Sequence, residues 1–268
     1  MTAIDGQRSV GPLQDDLLLE LLHDTATAVR TALDAVTDWG LAGTRAGQHL
    51  SDIAADDAAL ERLRRAGVGI LSEESGPHET DRDIVVVVDP LDGSTNAFHG
   101  VPWYATSLCA VDGDGPLAAV VVNQASGTRF EAVRGGGARR DGAPIAPSNA
   151  VRLAESIVGI SGYPGEHLGW RQFRAMGAAA LDISAVAAGV LDAYVDCTPG
   201  HHGAWDYLGG LLICQEAGAV IADGKDEELV TLDWAARRMP IAAATPALLE
   251  EVLAARRRVN SDIPAKRG

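Results

Sequence analysis

Cysteine is scarce in this 268-residue chain. Cys109, Cys197 and Cys214 are an odd set, widely spaced, each inside an apolar run. That pattern excludes a disulfide framework and a zinc knuckle, and reads as buried thiols in a reducing, cytoplasmic setting. Basic residues are also few: 22 Lys and Arg stand against 37 Asp and Glu, a formal net charge of −15. No basic stripe is there to track a phosphate backbone, which excludes nucleic acid as a partner. Aromatics supply only 4% of the residues, so aliphatic and small side chains carry most of the 47% apolar share. The longest uncharged apolar stretches reach about half of the ~20 residues that a bilayer span needs, and no membrane partner is expected. The start, Met1-Thr2-Ala3-Ile4-Asp5 with Asp15-Asp16 before Leu17, lacks the basic onset and unbroken apolar core of a secretory signal.

What the chain does have is patterned apolar sequence. Runs at 84–88 and 117–122 exclude a disordered chain, and the length suits one large domain or two small ones. Leu18, Leu21, Leu22, Val29, Leu33 and Val36 predict a helix over 13–39, closed by Gly40. A second helix is predicted after Ser51-Asp52, through Leu60 and Leu63 to Gly67. The period then changes. Strands are predicted at 68–71 and 84–88 around a polar loop at 76–82, and again at 104–111, 117–122 and 129–133. The Gly-rich segment 135–148 reads as a seam. Beyond it come strand 157–160, helix 181–188, strand 193–195, helix 207–217, strands 220–222 and 241–243, and helix 247–257. This alternation predicts a mostly parallel second sheet, with a tail that frays from Arg258.

The chemistry lies in the carboxylates. Asp89 closes the 84–88 strand, and Asp92 follows in Asp89-Pro90-Leu91-Asp92-Gly93-Ser94-Thr95-Asn96. Pro90 fixes φ and removes a donor, while Gly93 permits a tight turn, so both carboxylates and the Leu91 carbonyl can face one point. Oxygen ligands in that arrangement suit a hard cation such as Mg²⁺. Gly93, Ser94 and Thr95 can open a short helix whose free N–H groups cradle phosphate. Glu73-Glu74 follows strand 68–71 and reaches the same rim; Asp206 follows Trp205 at the start of an apolar helix, and Asp56 lies in the second helix. Singly, each has a plainer explanation: a turn, a solvated pair, a helix-dipole partner, a surface residue. Together they would repel one another, and a cation removes that cost. With no His-x-x-x-His or Cys-x-x-Cys, zinc is excluded, and His201-His202 beside Pro199-Gly200 reads as solvated loop. Ser94 sits in no Gly-x-Ser-x-Gly elbow and is read as orienting water rather than attacking. Trp103 and Trp205 read as packing residues.

These strings resemble the inositol monophosphatase family of Mg²⁺-dependent, lithium-sensitive phosphatases, within the wider fold that includes fructose-1,6-bisphosphatase. Asp89 to Asn96 match its first signature. Trp205-Asp206, with Gly209-Gly210 and Glu216-Ala217-Gly218, match the second, and Glu73-Glu74 its acidic pair. Arg174, Gly177, Ala179, Ala180, Ala187, Gly189 and Asp192-Ala193-Tyr194 fit its second half, so the likeness runs from about Thr44 to Gly224. The resemblance implies an α/β (α+β) fold, a layered αβαβα sandwich. Its N-terminal α+β half, 1–148, carries two long helices, an antiparallel sheet and most ligands; its C-terminal α/β half, 149–268, carries Asp206 and pocket residues. It further implies two or three Mg²⁺ ions held by Glu73, Asp89, the Leu91 carbonyl, Asp92 and Asp206. Ser94, with Glu73 or Asp56, would orient the attacking water. Gly93, Ser94 and Thr95 would hold the phosphate, with Arg174 and Ala179 in the substrate pocket. A small-molecule phosphate ester is the implied partner, and a homodimer the implied assembly.

The implied reaction is in-line hydrolysis of a phosphate monoester, inositol monophosphate or a related sugar phosphate, without a phosphoenzyme. Several positions depart from the family pattern. Asp52-Ile53 replaces the usual Val-Thr before the acid of the second helix, and Arg45 replaces an upstream Lys. Pro199 stands where a Glu contacts the inositol ring in animal enzymes. The loop Asp196-Cys197-Thr198-Pro199-Gly200 is similar to archaeal relatives active on both inositol phosphates and fructose bisphosphate. Fructose-1,6-bisphosphatase, histidinol-phosphatase, NADP phosphatase and 3′-phosphoadenosine nucleotidase activities are therefore the alternatives. Trp170, Arg171 and Arg174 are the contacts a nucleotide would want. A catalytically silent binding member would have lost a ligand, and none is lost.

Overall fold

The computed structural model describes residues 12–44 and 47–262. Helices α1 (Pro12–Ala35) and α2 (Leu50–Ala66) come first. Helix α2 stops at Gly67, which takes a left-handed φ of 73° and donates its N–H to the Arg64 carbonyl. Next come β1 (Gly69–Ser72), β2 (Gly76–His78), β3 (Val85–Asp92) and the one-turn helix α3 (Ser94–His99). Strands β4 (Ala105–Asp112), β5 (Gly115–Asn123), β6 (Arg129–Val133), β7 (Gly137–Arg140) and β8 (Ala143–Pro144) complete the first sheet. Its spatial order is β2-β1-β3-β4-β5-β6-β7-β8, and only the β1–β3 pair is parallel.

The second sheet is built from β9 (Ile157–Ser161), β10 (Gln172–Arg174), β11 (Ala193–Asp196), β12 (Val220–Asp223) and β13 (Pro240–Ala243), in the order β10-β9-β11-β13-β12. Helix α4 (Ala179–Ala187) precedes β11, α5 (Ala204–Ala217) precedes β12, and α6 (Pro246–Asp262) closes the described chain.

Period-two alternation explains the layering. Along β3, Val86 and Val88 join the cluster formed with Leu22, Val29 and Leu63 of α1 and α2. Val85 and Val87 face the other way, into a cluster with Leu181, Ile183, Leu208 and Leu212 of α4 and α5. The same split recurs along β5, with Val120 outward and Ala119 and Val121 inward. In the second sheet, Tyr194 points back to α4 and α5, whereas Ala193 and Val195 pack on Leu248 and Val252 of α6. Five layers result, α-β-α-β-α, the sandwich expected of the α/β (α+β) class. All three cysteines are buried and free. No helix among the described residues is long and apolar enough to cross a membrane.

Several expectations need correction. The 135–148 seam carries β7 and β8, and the 76–82 loop carries β2. These are short, polar, edge-side strands whose composition lacks an apolar run. The second sheet is mixed rather than mostly parallel. β9 runs parallel to β10 and β11, but β13 is antiparallel to both β11 and β12. No helix lies between β12 and β13, so the chain returns by a loop, which permits antiparallel pairing. Helix α6 continues past Arg258 to Asp262 instead of fraying there. Helix α1 ends at Ala35, before Gly40, and α2 already includes Ser51 and Asp52.

The α4–α5 contact yields a test. A Cβ added at Gly210 would lie 2.7 Å from Ile183 Cγ2 and 2.9 Å from its Cβ. Helix propensity alone favours Gly210→Ala by about 1 kcal/mol, whereas overpacking a core contact costs ~1–3 kcal/mol. Net destabilisation in urea unfolding is expected; a more stable variant would show that this packing is loose.

Candidate active site

The site forms where β3 breaks its pairing with β4. Asp89 sits opposite Ser107 and Asp92 opposite Ala105, so one extra residue is inserted on β3. Positions three apart on a regular strand face opposite sides; the bulge brings Asp92 round to the inner face with Asp89. Pro90 is tolerated at such an irregularity because it has no N–H to pair, and its carbonyl accepts the Thr106 hydroxyl at 2.9 Å. The Leu91 N–H donates to Asp89 Oδ1 at 2.9 Å. Gly93 then turns with φ 82°, and a Cβ there would lie 3.0 Å from the Gly177 carbonyl and 3.2 Å from Ala178 Cβ. Both the turn and the close approach require glycine. Asn96 locks the turn by donating to the carbonyls of Trp103 (2.7 Å) and Met176 (2.6 Å).

Two other elements bring acids to the same place. Glu73 follows β1, and its N–H bonds the Val88 carbonyl beside Asp89 (3.1 Å). Asp206 lies in the first turn of α5, where its carboxylate caps the Gly203 N–H at 2.8 Å. The α5 start is tied to β4 by the Ser107 hydroxyl, which donates to the Trp205 carbonyl (3.1 Å). Carboxylate oxygens of Glu73, Asp89 and Asp206 all lie within 4.8 Å of one another. Asp92 accepts the Ala180 N–H at the start of α4 (2.8 Å). Burial, then repulsion from its acidic neighbours, raises the pKa of Glu73 and of Asp89 well above the ordinary range. Burial and the Asp206 charge push Asp92 from 3.8 to about 7.

The acids line a cavity with two lobes, of about 370 and 530 Å³. Both lobes are lined by Glu73, Asp92, Gly93, Ser94, Thr95 and Asp206. Leu91 and Asp89 line the larger lobe, and Ala179 the smaller. Thus Glu73, Asp89, Leu91, Asp92, Gly93, Ser94, Thr95, Ala179 and Asp206 converge.

Two expected residues do not. The Asp56 carboxylate is turned behind β1, where it accepts the Ser72 hydroxyl at 2.5 Å, and Asp56 lines neither lobe. Asp52, four residues and about one helical turn earlier, lines the larger lobe. Its Oδ2 accepts the His49 N–H at 2.7 Å, while its buried Oδ1 has no partner among the described residues. Burial raises the Asp52 pKa, and the neighbouring Ser94 hydroxyl and His49 counter this only in part. Arg174 lies exposed on the edge strand β10, its guanidinium donating to Phe173 and Gln172, and it lines neither lobe. Trp170 is buried in the α6 cluster, away from both lobes. Arg171 is exposed and also outside them. Arg45, the counterpart of the upstream Lys, lies outside the described residues.

Other wall residues escaped sequence reasoning. His202 is buried rather than solvated: its Nδ1 meets Asp206 Oδ2 at 3.2 Å and its Nε2 meets the Tyr194 hydroxyl at 3.0 Å. Burial opposes its charge, but the Asp206 bond and surrounding acids win and push its pKa up to about 9. The loop between β12 and β13 brings Trp234 and Arg237 to the rim, and Trp234 Nε1 donates to the Ser72 carbonyl at 3.0 Å. For Asp52 a signal existed, since an acid three residues after the N-cap His49 marks a helix start. For Arg237 none did.

A layered α-β-α-β-α fold with an all-oxygen acid cluster, Asp89 buried and Glu73 and Asp206 half-buried, fits a metal-dependent phosphatase class. The profile of the inositol monophosphatase family matches residues 44–261, and the chain belongs to that family as a phosphoric monoester hydrolase. The fructose-1,6-bisphosphatase of Pyrococcus furiosus is 33% identical over 208 residues, covering 76% of this chain and 81% of that one. The inositol-1-monophosphatase ImpA of Mycolicibacterium smegmatis is 30% identical over 272 residues, covering 91% and 94%. Among solved structures, the inositol monophosphatase from Anabaena (Nostoc) sp. PCC 7120 superposes with a TM-score of 0.74 at 25% identity, covering 91% of this chain and 96% of that one.

The raised carboxylate values set a pH dependence. Between the unfolded Asp value of 3.8 and the folded Asp92 value of about 7, the folded chain binds more protons than the unfolded one. Stability without a cation therefore falls as pH rises through that window. Melting in EDTA should show a lower Tm at pH 8 than at pH 5. Added Mg²⁺, binding only the folded state, should raise Tm more at pH 8. A pH-independent Tm in EDTA would contradict the cluster's electrostatics.

Proposed function

We propose that this phosphatase hydrolyses inositol monophosphate or a related sugar phosphate, with two or three Mg²⁺ ions held by Glu73, Asp89, the Leu91 carbonyl, Asp92 and Asp206. The observation that carries this reading is the approach of the Glu73, Asp89 and Asp206 carboxylates to within 4.8 Å at the floor of a cavity. Carboxylate and carbonyl oxygens alone suit a hard divalent cation. His202 is bonded to Asp206 and so does not present itself as a ligand. When bound, Mg²⁺ supplies Lewis-acid neutralisation of phosphoryl charge and acidifies water.

The chain's own groups do the rest. The N–H groups of Gly93, Ser94 and Thr95, at the start of α3, receive phosphoryl oxygens. Ser94 and Asp52 orient the attacking water; the free Oδ1 of Asp52 is the acceptor for its proton, the role the resemblance assigned to Asp56 or Glu73. Water oxygen joins phosphorus as the ester P–O bond breaks, releasing an alcohol and inorganic phosphate. Ser94 forms no covalent intermediate. Ala179 lines the wall of the smaller lobe beside Asp92, where the departing alcohol sits. Lithium sensitivity, a cytoplasmic location and a homodimer belong to the same reading and rest on the family resemblance, with the buried free thiols in accord.

Substrate class is tested by phosphate release from inositol 1-phosphate, fructose 1,6-bisphosphate, histidinol phosphate, NADP and 3′-phosphoadenosine 5′-phosphate, with Mg²⁺ and with added Li⁺. Turnover of the first two, inhibited by Li⁺, is expected. Losing a positioned proton acceptor costs ~10²–10⁴-fold in rate, so Asp52→Asn should lower kcat by that order. Asp56→Asn should lower stability by about 1–3 kcal/mol through its buried Ser72 bond, with the smaller effect on kcat. The reverse ranking would return the water-orienting role to Asp56. Asp92→Asn should remove most activity; near wild-type turnover would exclude Asp92 as a ligand.

A further inference from the structure

Of the Lys and Arg side chains among the described residues, Arg237 is the one that lines both lobes. It has no acidic partner among those residues, in contrast to Arg238 beside it, which pairs with Glu227 at 3.0 Å and donates to the Glu228 carbonyl. Among the described residues Arg237 is engaged through one nitrogen: Nη1 donates to the carbonyls of Trp234 (2.8 Å) and Ala236 (2.9 Å). The guanidinium carbon lies 5.0 Å from the Trp205 ring centre and 6.0 Å from that of Trp234. The two rings are 6.1 Å apart, and Trp234 is itself held to the Ser72 carbonyl. The fork is therefore fixed by stacking while Nε and Nη2 remain available.

A chain of net charge −15 has an acid for almost any arginine. Leaving this one without an acid among the described residues, stacked and at the cavity, fits an anion from outside. The scissile phosphate is already met by the acid-bound cations and the α3 amides on the proposed reading. We infer that Arg237 is a specificity-determining residue that receives a second, non-reacting anionic group of the substrate, so that phosphate monoesters carrying another phosphate or a carboxylate are preferred. This inference rests on the phosphatase reading above. A planar fork with two free donors matches the oxygens of either anion.

The test compares kcat/KM for fructose 1,6-bisphosphate, 3-phosphoglycerate and inositol 1-phosphate in the Mg²⁺-loaded wild type, Arg237→Gln and Arg237→Lys, each checked for an unaltered Tm. In Arg237→Gln the ratio of bisphosphate to inositol 1-phosphate should fall at least about tenfold, carried in KM, as expected for loss of one charged contact. The 3-phosphoglycerate ratio falls likewise if a carboxylate is accepted and stays unchanged if only phosphate is. Arg237→Lys, which keeps the charge, should restore part of the ratio. An equal fall for all three esters overturns the inference and leaves the phosphatase reading standing, because Arg237 then serves the scissile phosphate or the acids. Failure of the wild type to hydrolyse any ester overturns both.

Discussion

Repulsion among crowded carboxylates is the constraint around which this molecule is arranged. Glu73, Asp89, Asp92 and Asp206 come from three separate stretches, yet their charges meet on the inner face of the first sheet. Each arrives by a different local device: the end of a parallel strand, an inserted residue in an antiparallel ladder, and a helix cap. An arrangement that raises the pKa of Glu73, Asp89 and Asp92 together is unfavourable for folding alone. It persists because the surrounding structure over-determines it. The β1–β3 pairing places Glu73, the Ser107–Trp205 bond places α5, and the Ala180 N–H places Asp92.

The five-layer architecture supplies the rigidity for this. Every central strand of the first sheet divides its side chains between two clusters, so a slip of one residue would reverse both faces at once. Helices α4 and α5, shared by the two sheets, bring the wall residues Ala179, Asp182 and Asp206 to the same opening. Asp182 is itself held by the Trp103 indole N–H at 2.9 Å. The second sheet thus contributes to the site through helix starts, where backbone N–H groups are free to fix carboxylates.

How much of this was legible in the sequence follows from how local each feature is. The apolar strands 84–88 and 117–122 were readable because burial on both faces leaves an unbroken aliphatic run, and 129–133 because Phe130 and Ala132 alternate with Arg129 and Glu131 in period two. The Asp89–Asn96 string was readable because its bulge, turn and short helix are all encoded within eight residues. The strands β2, β7, β8 and β10 were not, since edge pairing asks nothing of side chains that polar or glycine-rich sequence cannot meet. That Asp52 rather than Asp56 lines the cavity has a sharper reason. Both are buried on the same helix one turn apart. Which of them faces Ser94 depends on where the helix begins, and His49 as N-cap sets that point before Ser51 rather than after it. Arg237 and Trp234 reach the cavity from a loop whose position exists only in the folded chain.

The charge balance connects these parts. A dianionic ester approaching a surface of net charge −15 is repelled unless local positive potential intervenes. On the proposed reading, cations among the acids reverse the field at the floor of the cavity, and beyond the rim solvent and salt screen that reversal over about 10 Å. Whatever part of a substrate extends beyond that distance meets the protein's own charges. Among the described residues that line both lobes, Arg237 supplies a guanidinium, a permanently charged group. Stacking on Trp205, the chain neighbour of Asp206, places that charge at a set position relative to the acid cluster. Distance between the two anion-receiving points is then a property of the fold, and it selects substrates by the separation of their charged groups as well as by their number.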